Sequence, residues 1–169
     1  MIFNSCKTLS ERNDCIEQQN LPKGIQKKTL ILIQEYFDKN PYSLSQSLSV
    51  NDAGEICQCD KCKAKNSKMS PGVESQSYYE WVAKTVNIVN KKYPDRLYGL
   101  LNYWVTREMP ENVKLPQNVI PIVCEDLKFY VDPKLDKILE ERLNKWDKLV
   151  SSIGWWDYSF EGAYMVPYY

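Results

Sequence analysis

Acidic side chains follow several short apolar runs of this chain, and they are the strongest candidates for chemistry. Asp52, Glu125 and Asp157 each come at or just beyond the end of such a run. Cleavage of a glycosidic bond needs a carboxylic acid that protonates the leaving oxygen and a carboxylate that acts as nucleophile or activates water. Asp and Asn are also common at loop starts, where they form turns and cap helices, so each acid has a purely structural alternative.

Amide and aromatic residues stand beside these acids. A pyranose ring has an apolar face that stacks on aromatic side chains, while its hydroxyl groups bond to polar ones. The chain contains 12 Tyr and 5 Trp, although aromatic residues also serve as ordinary core. The candidate sugar-binding residues are Asn51, Asn102, Tyr103, Trp104, Trp156 and Tyr158.

A CxCxxC cluster is the second chemical signal. Its candidate metal ligands are Cys57, Cys59 and Cys62. Three thiolates this close could hold a tetrahedral zinc ion if Cys15, Cys124 or Asp60 supplied a fourth ligand. A stapling disulfide and unpaired thiols are the alternatives, because a second CxxC motif and any His are missing. The expected cofactor is therefore none, with zinc as the one exception.

The composition excludes several function classes. Without His, the chain lacks the Ser-His and Cys-His nucleophile systems and every His-containing metal site. Its 22 basic and 22 acidic residues give a net charge of zero, which argues against a nucleic-acid partner. No apolar stretch approaches the roughly 18 residues that a membrane span requires. Neither nucleic acid nor a membrane is therefore expected as a partner, whereas the aromatic content favours carbohydrate.

Helix-period and strand-like segments alternate after an irregular segment at residues 1–21. Helices are predicted over Ile25–Lys39, along the stripe Tyr79–Tyr93 with Ser75 or Ser77 as its cap, and from Asp132–Pro133 to about Val150. Strands are predicted at Ser47–Val50, Leu97–Val105, Asn118–Cys124 and Ser152–Trp156.

This alternation predicts an α/β fold with a parallel sheet. The carboxyl ends of parallel strands open on one side, so the three acids should converge there. Four strands make either a small open sheet or about half of an eight-fold barrel, which usually needs roughly 250 residues.

The segment from Ser47 to Cys62 resembles the strand–Asp–CxCxxC segment of an uncharacterised bacterial family defined by the domain of unknown function DUF4838. That family is grouped with glycoside-hydrolase barrels and related to α-glucuronidases. The resemblance runs from about residue 15 to 169. Its further matching segments are Cys15, Tyr93–Asp95, Tyr103, Asn118–Glu125 and Trp156–Tyr158.

The resemblance implies one partial (β/α)8 TIM-like barrel over residues 1–169, the C-terminal portion of a glycoside-hydrolase-like barrel. It implies that Asp52, Glu125 and Asp157 line a pocket, with Tyr103, Trp156 and Tyr158 facing a sugar. As a glycosidase, the chain would use Glu125 as general acid and Asp157 or Asp52 as its partner. The family suggests an extracellular or periplasmic location, although no signal peptide is visible.

Departures from the family pattern keep other functions open. The stretch Asn51–Gly54 has fewer glycines than expected, and the third strand ends in Cys-Glu-Asp. A non-catalytic carbohydrate-binding remnant and a metal-stabilised interaction module built on the Cys loop are therefore alternatives. Because half a barrel exposes its sheet edges, a homo-oligomer or a chain supplying the missing half is also expected.

Overall fold

The computed structural model of this chain describes residues 24–50, 56–125 and 131–157. Among these residues, no helix has the length and apolar character needed to cross a membrane. The elements are α1 (Gly24–Lys39), β1 (Ser45–Ser47), α2 (Asp60–Asn66), α3 (Ser75–Val89), β2 (Leu97–Asn102), a 3-10 turn (Trp104–Thr106), β3 (Val119–Glu125), α4 (Pro133–Asp147) and β4 (Gly154–Asp157).

The four strands form one parallel sheet in the order β1-β2-β3-β4. This confirms the predicted mixed α/β fold, in which strands alternate with helices. The strand bounds differ from the predicted ones by at most three residues at either end. The largest change is at β1, which shares only Ser47 with the predicted strand. Strand β2 begins as predicted but stops at Asn102, because the chain then enters the 3-10 turn.

The two faces of the sheet differ in burial. Alternate residues of β2 and β3, such as Tyr98 and Val119, are fully buried against a core that α1, α3 and α4 share. The intervening residues are only half-buried, and we call their side of the sheet the open face. It is defined by Gly99, Leu101, Ile120, Ile122 and Trp156.

Pro121 lies in the central strand β3, a position that usually excludes proline because the ladder loses a donor. The carbonyl of Asn118 accepts from the Tyr98 N–H at 2.9 Å, so position 118 points its backbone groups towards β2. By alternation, position 121 points towards β4, whose pairing begins only at Ile122. The missing N–H therefore falls where no partner strand needs it.

The helix starts show one prediction wrong and one confirmed. Neither Ser75 nor Ser77 caps α3, since Glu74 is its N-cap residue and the Ser77 N–H donates to Asn66 Oδ1 at 2.9 Å. The last residue of α2 thus accepts a hydrogen bond from a backbone N–H in the first turn of α3. At α4, by contrast, Asp132 accepts from the Lys134 N–H at 2.8 Å, as predicted.

Two further elements differ from the sequence analysis. Helix α2 was not among the predicted helices, since its seven residues, none of them buried, carry no amphipathic signal. In α4 only Leu139 and Trp146 are buried, and Ile138 is 52% exposed. The apolar residues of α4 therefore extend beyond the part of the helix that the described residues bury.

Candidate functional site

Several strands end at predicted site residues, at the carboxyl edge of the sheet. Strands β2, β3 and β4 end at Asn102, Glu125 and Asp157, and the last two are register partners. Adjacent strands lie about 4.8 Å apart, so these two backbone positions are neighbours. Asn51, Asp52, Tyr158 and the side chain of Asp157 lie outside the described part of the structure.

Glu125 lies on the helix-facing side of the sheet. It shares the alternation of the buried residues Val119 and Val123, and its carboxylate forms an ion pair with Arg142 of α4. The two side chains are only 8% and 12% exposed. A carboxylate that accepts hydrogen bonds from a guanidinium is an anchor for α4, and this placement suits that role better than proton donation into an open cleft.

Asn102 is fully buried, and its side-chain amide forms hydrogen bonds within the protein. Its Nδ2 donates to the Tyr79 hydroxyl and to the Thr106 carbonyl, both at 3.2 Å. The Tyr79 hydroxyl donates to the same carbonyl at 3.1 Å. We call these three residues the Asn102 network. It ties the end of β2 to α3 and holds the 3-10 turn in place.

Trp104, the first residue of that turn, has an unusual backbone. Its φ is +46°, a left-handed conformation that is costly for a bulky side chain. The Thr106 hydroxyl closes the turn by hydrogen bonds to the carbonyls of Leu101 and Tyr103, at 3.2 and 2.9 Å. The indole is 52% exposed. The buried network beneath the turn thus maintains a strained residue that presents its side chain to solvent.

Tyr103 and Trp156 stand at the same level of the open face. Asn102 is paired with Val123, so Tyr103 comes opposite Cys124, which in turn is paired with Trp156. Trp156 is 52% exposed and Tyr103 is half-buried. Cys124 between them is buried, and burial together with the charge of Glu125 raises the pKa of its thiol to about 11. Two aromatic residues therefore flank an unreactive thiol.

The cysteine cluster follows the carboxyl end of β1. The Sγ atoms of Cys57, Cys59 and Cys62 all lie within 4.8 Å of one another, and Cys59 is buried. Neither Asp60 nor Cys124 belongs to this group, and Cys15 lies outside the described residues.

The cluster adjoins the 3-10 turn through Glu74. The Gln58 amide donates to the Glu74 carboxylate, and the Glu74 N–H donates to the Val105 carbonyl at 2.7 Å. Burial raises the pKa of the Glu74 carboxyl, and the nearby Cys57 side chain acts in the same direction. The hydrogen bond from Gln58 lowers this pKa, but by less than burial raises it. Cys57 and Glu74 also border a cavity of about 330 Å³.

Comparison with known proteins supports one relationship. Residues 13–168 match the family described as "Domain of unknown function (DUF4838)". The chain belongs to this family. The match covers almost the whole DUF4838 chain, so the resemblance drawn from the CxCxxC segment is confirmed. No curated protein and no solved structure matches it.

Sequence reasoning missed two groups of this DUF4838 site. The helical spacing could have placed Arg142 on the buried side of α4, since it lies three residues after Leu139 and four before Trp146. No sequence pattern could have predicted the Asn102 network, because Tyr79 and Thr106 are 27 residues apart and come into contact only in the tertiary structure.

Proposed function

We propose that this DUF4838 domain binds carbohydrate at the carboxyl edge of its open face. Tyr103, Trp104 and Trp156 would supply stacking surfaces for sugar rings. The observation that carries the proposal is Trp104, a half-exposed tryptophan in a left-handed backbone conformation.

The cost of this conformation supports a ligand-binding role. A non-glycine residue in the left-handed region costs of the order of 1–3 kcal/mol and persists only when its surroundings enforce it. Here the Asn102 network and the Thr106 hydroxyl enforce it, and the result is an outward-facing indole. About half of the residue remains exposed, and a stacking ligand would cover that part.

We also propose that the sheet is part of a (β/α)8 barrel of the glycoside-hydrolase kind, with residues 1–169 as one partial barrel domain. In a doubly wound fold the strand order reverses and helices cover both faces. Here the order runs unbroken from β1 to β4, and α1, α3 and α4 share one core on one face. The open face would then be the barrel interior, completed by a second copy or another chain, in an extracellular or periplasmic setting.

Hydrolysis of glycosides, in the manner of an α-glucuronidase, is the second candidate function. Glu125 and Asp157 are register partners at the carboxyl edge, and retaining enzymes hold two carboxyl groups about 5 Å apart. Both positions, however, share the helix-facing alternation of the sheet. The Arg142 ion pair makes Glu125 a weak choice of general acid. Asp52 and Asp157 are the remaining pair for that chemistry.

Binding is tested by a glycan array followed by calorimetry on the best ligand, comparing the parent chain with Trp104→Ala. We expect at least tenfold weaker binding, since truncation of an anchoring aromatic costs about 2 kcal/mol. The matched control is Tyr42→Ala, which removes a 95% exposed aromatic beside the opposite end of β1. Equal affinities for these two variants, or no glycan bound by the folded parent, would refute the proposal.

A panel of aryl glycosides and aryl glucuronides separates binding from hydrolysis. If the domain only binds, Asp52→Asn, Glu125→Gln and Asp157→Asn keep most of the sugar affinity, and no aryl group is released. Aryl release by the parent that is lost in Asp157→Asn or Asp52→Asn would instead establish hydrolysis.

A further inference from the structure

We propose that Cys57, Cys59 and Cys62 bind one zinc ion through their thiolates. Their Sγ atoms lie within 4.8 Å of one another. In a tetrahedral site with Zn–S bonds of about 2.3 Å, neighbouring sulfur atoms are about 3.8 Å apart. The three sulfurs therefore need to approach by no more than about 1 Å to coordinate one ion.

The local backbone explains this convergence. Cys59 is extended, with φ −66° and ψ 158°, and the helix α2 begins at the next residue. Cys62 lies three positions further on, a spacing that places two helical side chains on the same side. Cys57 lies two positions before Cys59, in the irregular segment that leads into the helix. The CxCxxC spacing thus directs three sulfurs to one point.

Helix α2 is short, and a bound zinc ion would stabilise its first turn. It has seven residues, none of them buried, and the side chain of Cys59 makes no capping hydrogen bond. Helices this short are marginal in water without tertiary support. Its described contacts with α3 are polar and come from the far end, Lys65 with Glu80 and Asn66 with Ser77. Zinc at Cys59 and Cys62 would fix the other end.

Ligand type and charge both favour zinc. Thiolates are soft ligands that select zinc over magnesium or calcium. Zinc with three thiolates carries one net negative charge, and Lys61, Lys63 and Lys65 of α2 place positive charge in the same segment. Lys63 and Cys57 border the 330 Å³ cavity, which opens the Cys57 side of the cluster to water.

The test is the metal content of the full chain, purified with a reductant and without added chelator. We expect about one zinc per chain by mass spectrometry of the elements, and a thiolate-to-cobalt charge-transfer band after substitution with Co²⁺. Cys62→Ser and Cys57→Ser should lower the zinc content several-fold. The matched control is Cys124→Ser, a buried cysteine outside the cluster, which should keep the parent's zinc.

Three results would overturn the zinc site. These are a reduced, folded parent that takes up neither zinc nor cobalt, a disulfide within the cluster in the mass of the alkylated native chain, and equal zinc loss in Cys124→Ser and Cys62→Ser. Titration of the parent with Co²⁺ decides the matter even if the variants fail to fold. None of these measurements involves sugar, so the zinc site and the carbohydrate site stand or fall separately.

Discussion

At the scale of the residue, side chains of similar sequence context have different surroundings. Glu125 is the last residue of β3, and Trp104 lies two residues beyond the end of β2. Glu125 is almost fully buried in an ion pair with Arg142, whereas Trp104 is half exposed on a strained backbone. A charge in the protein interior requires a partner, so Glu125 depends on α4 for its stability.

We predict that Arg142→Met destabilises the domain by about 3–5 kcal/mol, because Glu125 then keeps a buried charge without the guanidinium. Urea denaturation at neutral pH measures this. The double variant Glu125→Leu/Arg142→Leu should recover most of the loss, since it removes both charges together. Lys39→Met is the matched control, because the Lys39–Glu35 pair is 75% and 54% exposed and should contribute little. Equal effects of Arg142→Met and Lys39→Met would contradict the argument.

At the scale of the element, close approach between β3 and β4 depends on a small residue. A Cβ added at Gly154 would lie 2.9 Å from Ile122 Cγ1 and 3.5 Å from Ile122 Cα. A Cβ at Gly99 would meet only the end of the same side chain, Cδ1, at 3.4 Å. The two glycines flank one isoleucine from opposite strands, and only one of them has no room for a methyl group.

We predict that Gly154→Ala lowers the free energy of unfolding by about 1–3 kcal/mol, the usual cost of overpacking. Gly99→Ala should cost less, because the isoleucine can move the end of its side chain. Thermal and urea denaturation compare the two. Adding Ile122→Ala should offset part of the Gly154→Ala effect, and a fully additive double variant would show that the contact is not the cause.

At the scale of the whole molecule, one core on one side of the sheet joins elements that are distant in sequence. Trp146 of α4 is fully buried and packs its ring edge-on against Tyr79 of α3, with centroids 5.0 Å apart. Phe37 of α1 belongs to the same core, 6.3 Å from Tyr98 of β2. A core shared in this way should unfold as a single unit.

We predict that Trp146→Ala costs about 3–5 kcal/mol and weakens α1 as well as α4. The transitions followed by far-ultraviolet and near-ultraviolet circular dichroism should shift together. Trp156→Ala, a change at a half-exposed indole on the open face, should cost about 1 kcal/mol or less. Separate transitions for the two probes would show that α4 folds independently of the rest.

The local sequence was sufficient to predict most of the elements but little of the site. Apolar periodicity placed α1, α3 and α4 within a few residues, and Asp132–Pro133 located a helix start, because these signals act within one or two turns. Helix α2 escaped prediction since its seven residues have no apolar face. The Tyr79–Thr106 hydrogen bond was not predicted, because the spacing of these two residues follows no periodicity that indicates a contact.

The sequence by itself therefore determined the α/β class, the parallel sheet, the family and the grouping of three cysteines, all of which depend on periodicity or on short spacing. The tertiary structure decided which face of the sheet each strand-end residue occupies. Glu125 came to face Arg142, and Trp156 came to lie on the open face. The physical reason is that strand alternation offers two sides, and only the packing of distant helices makes one of them the core.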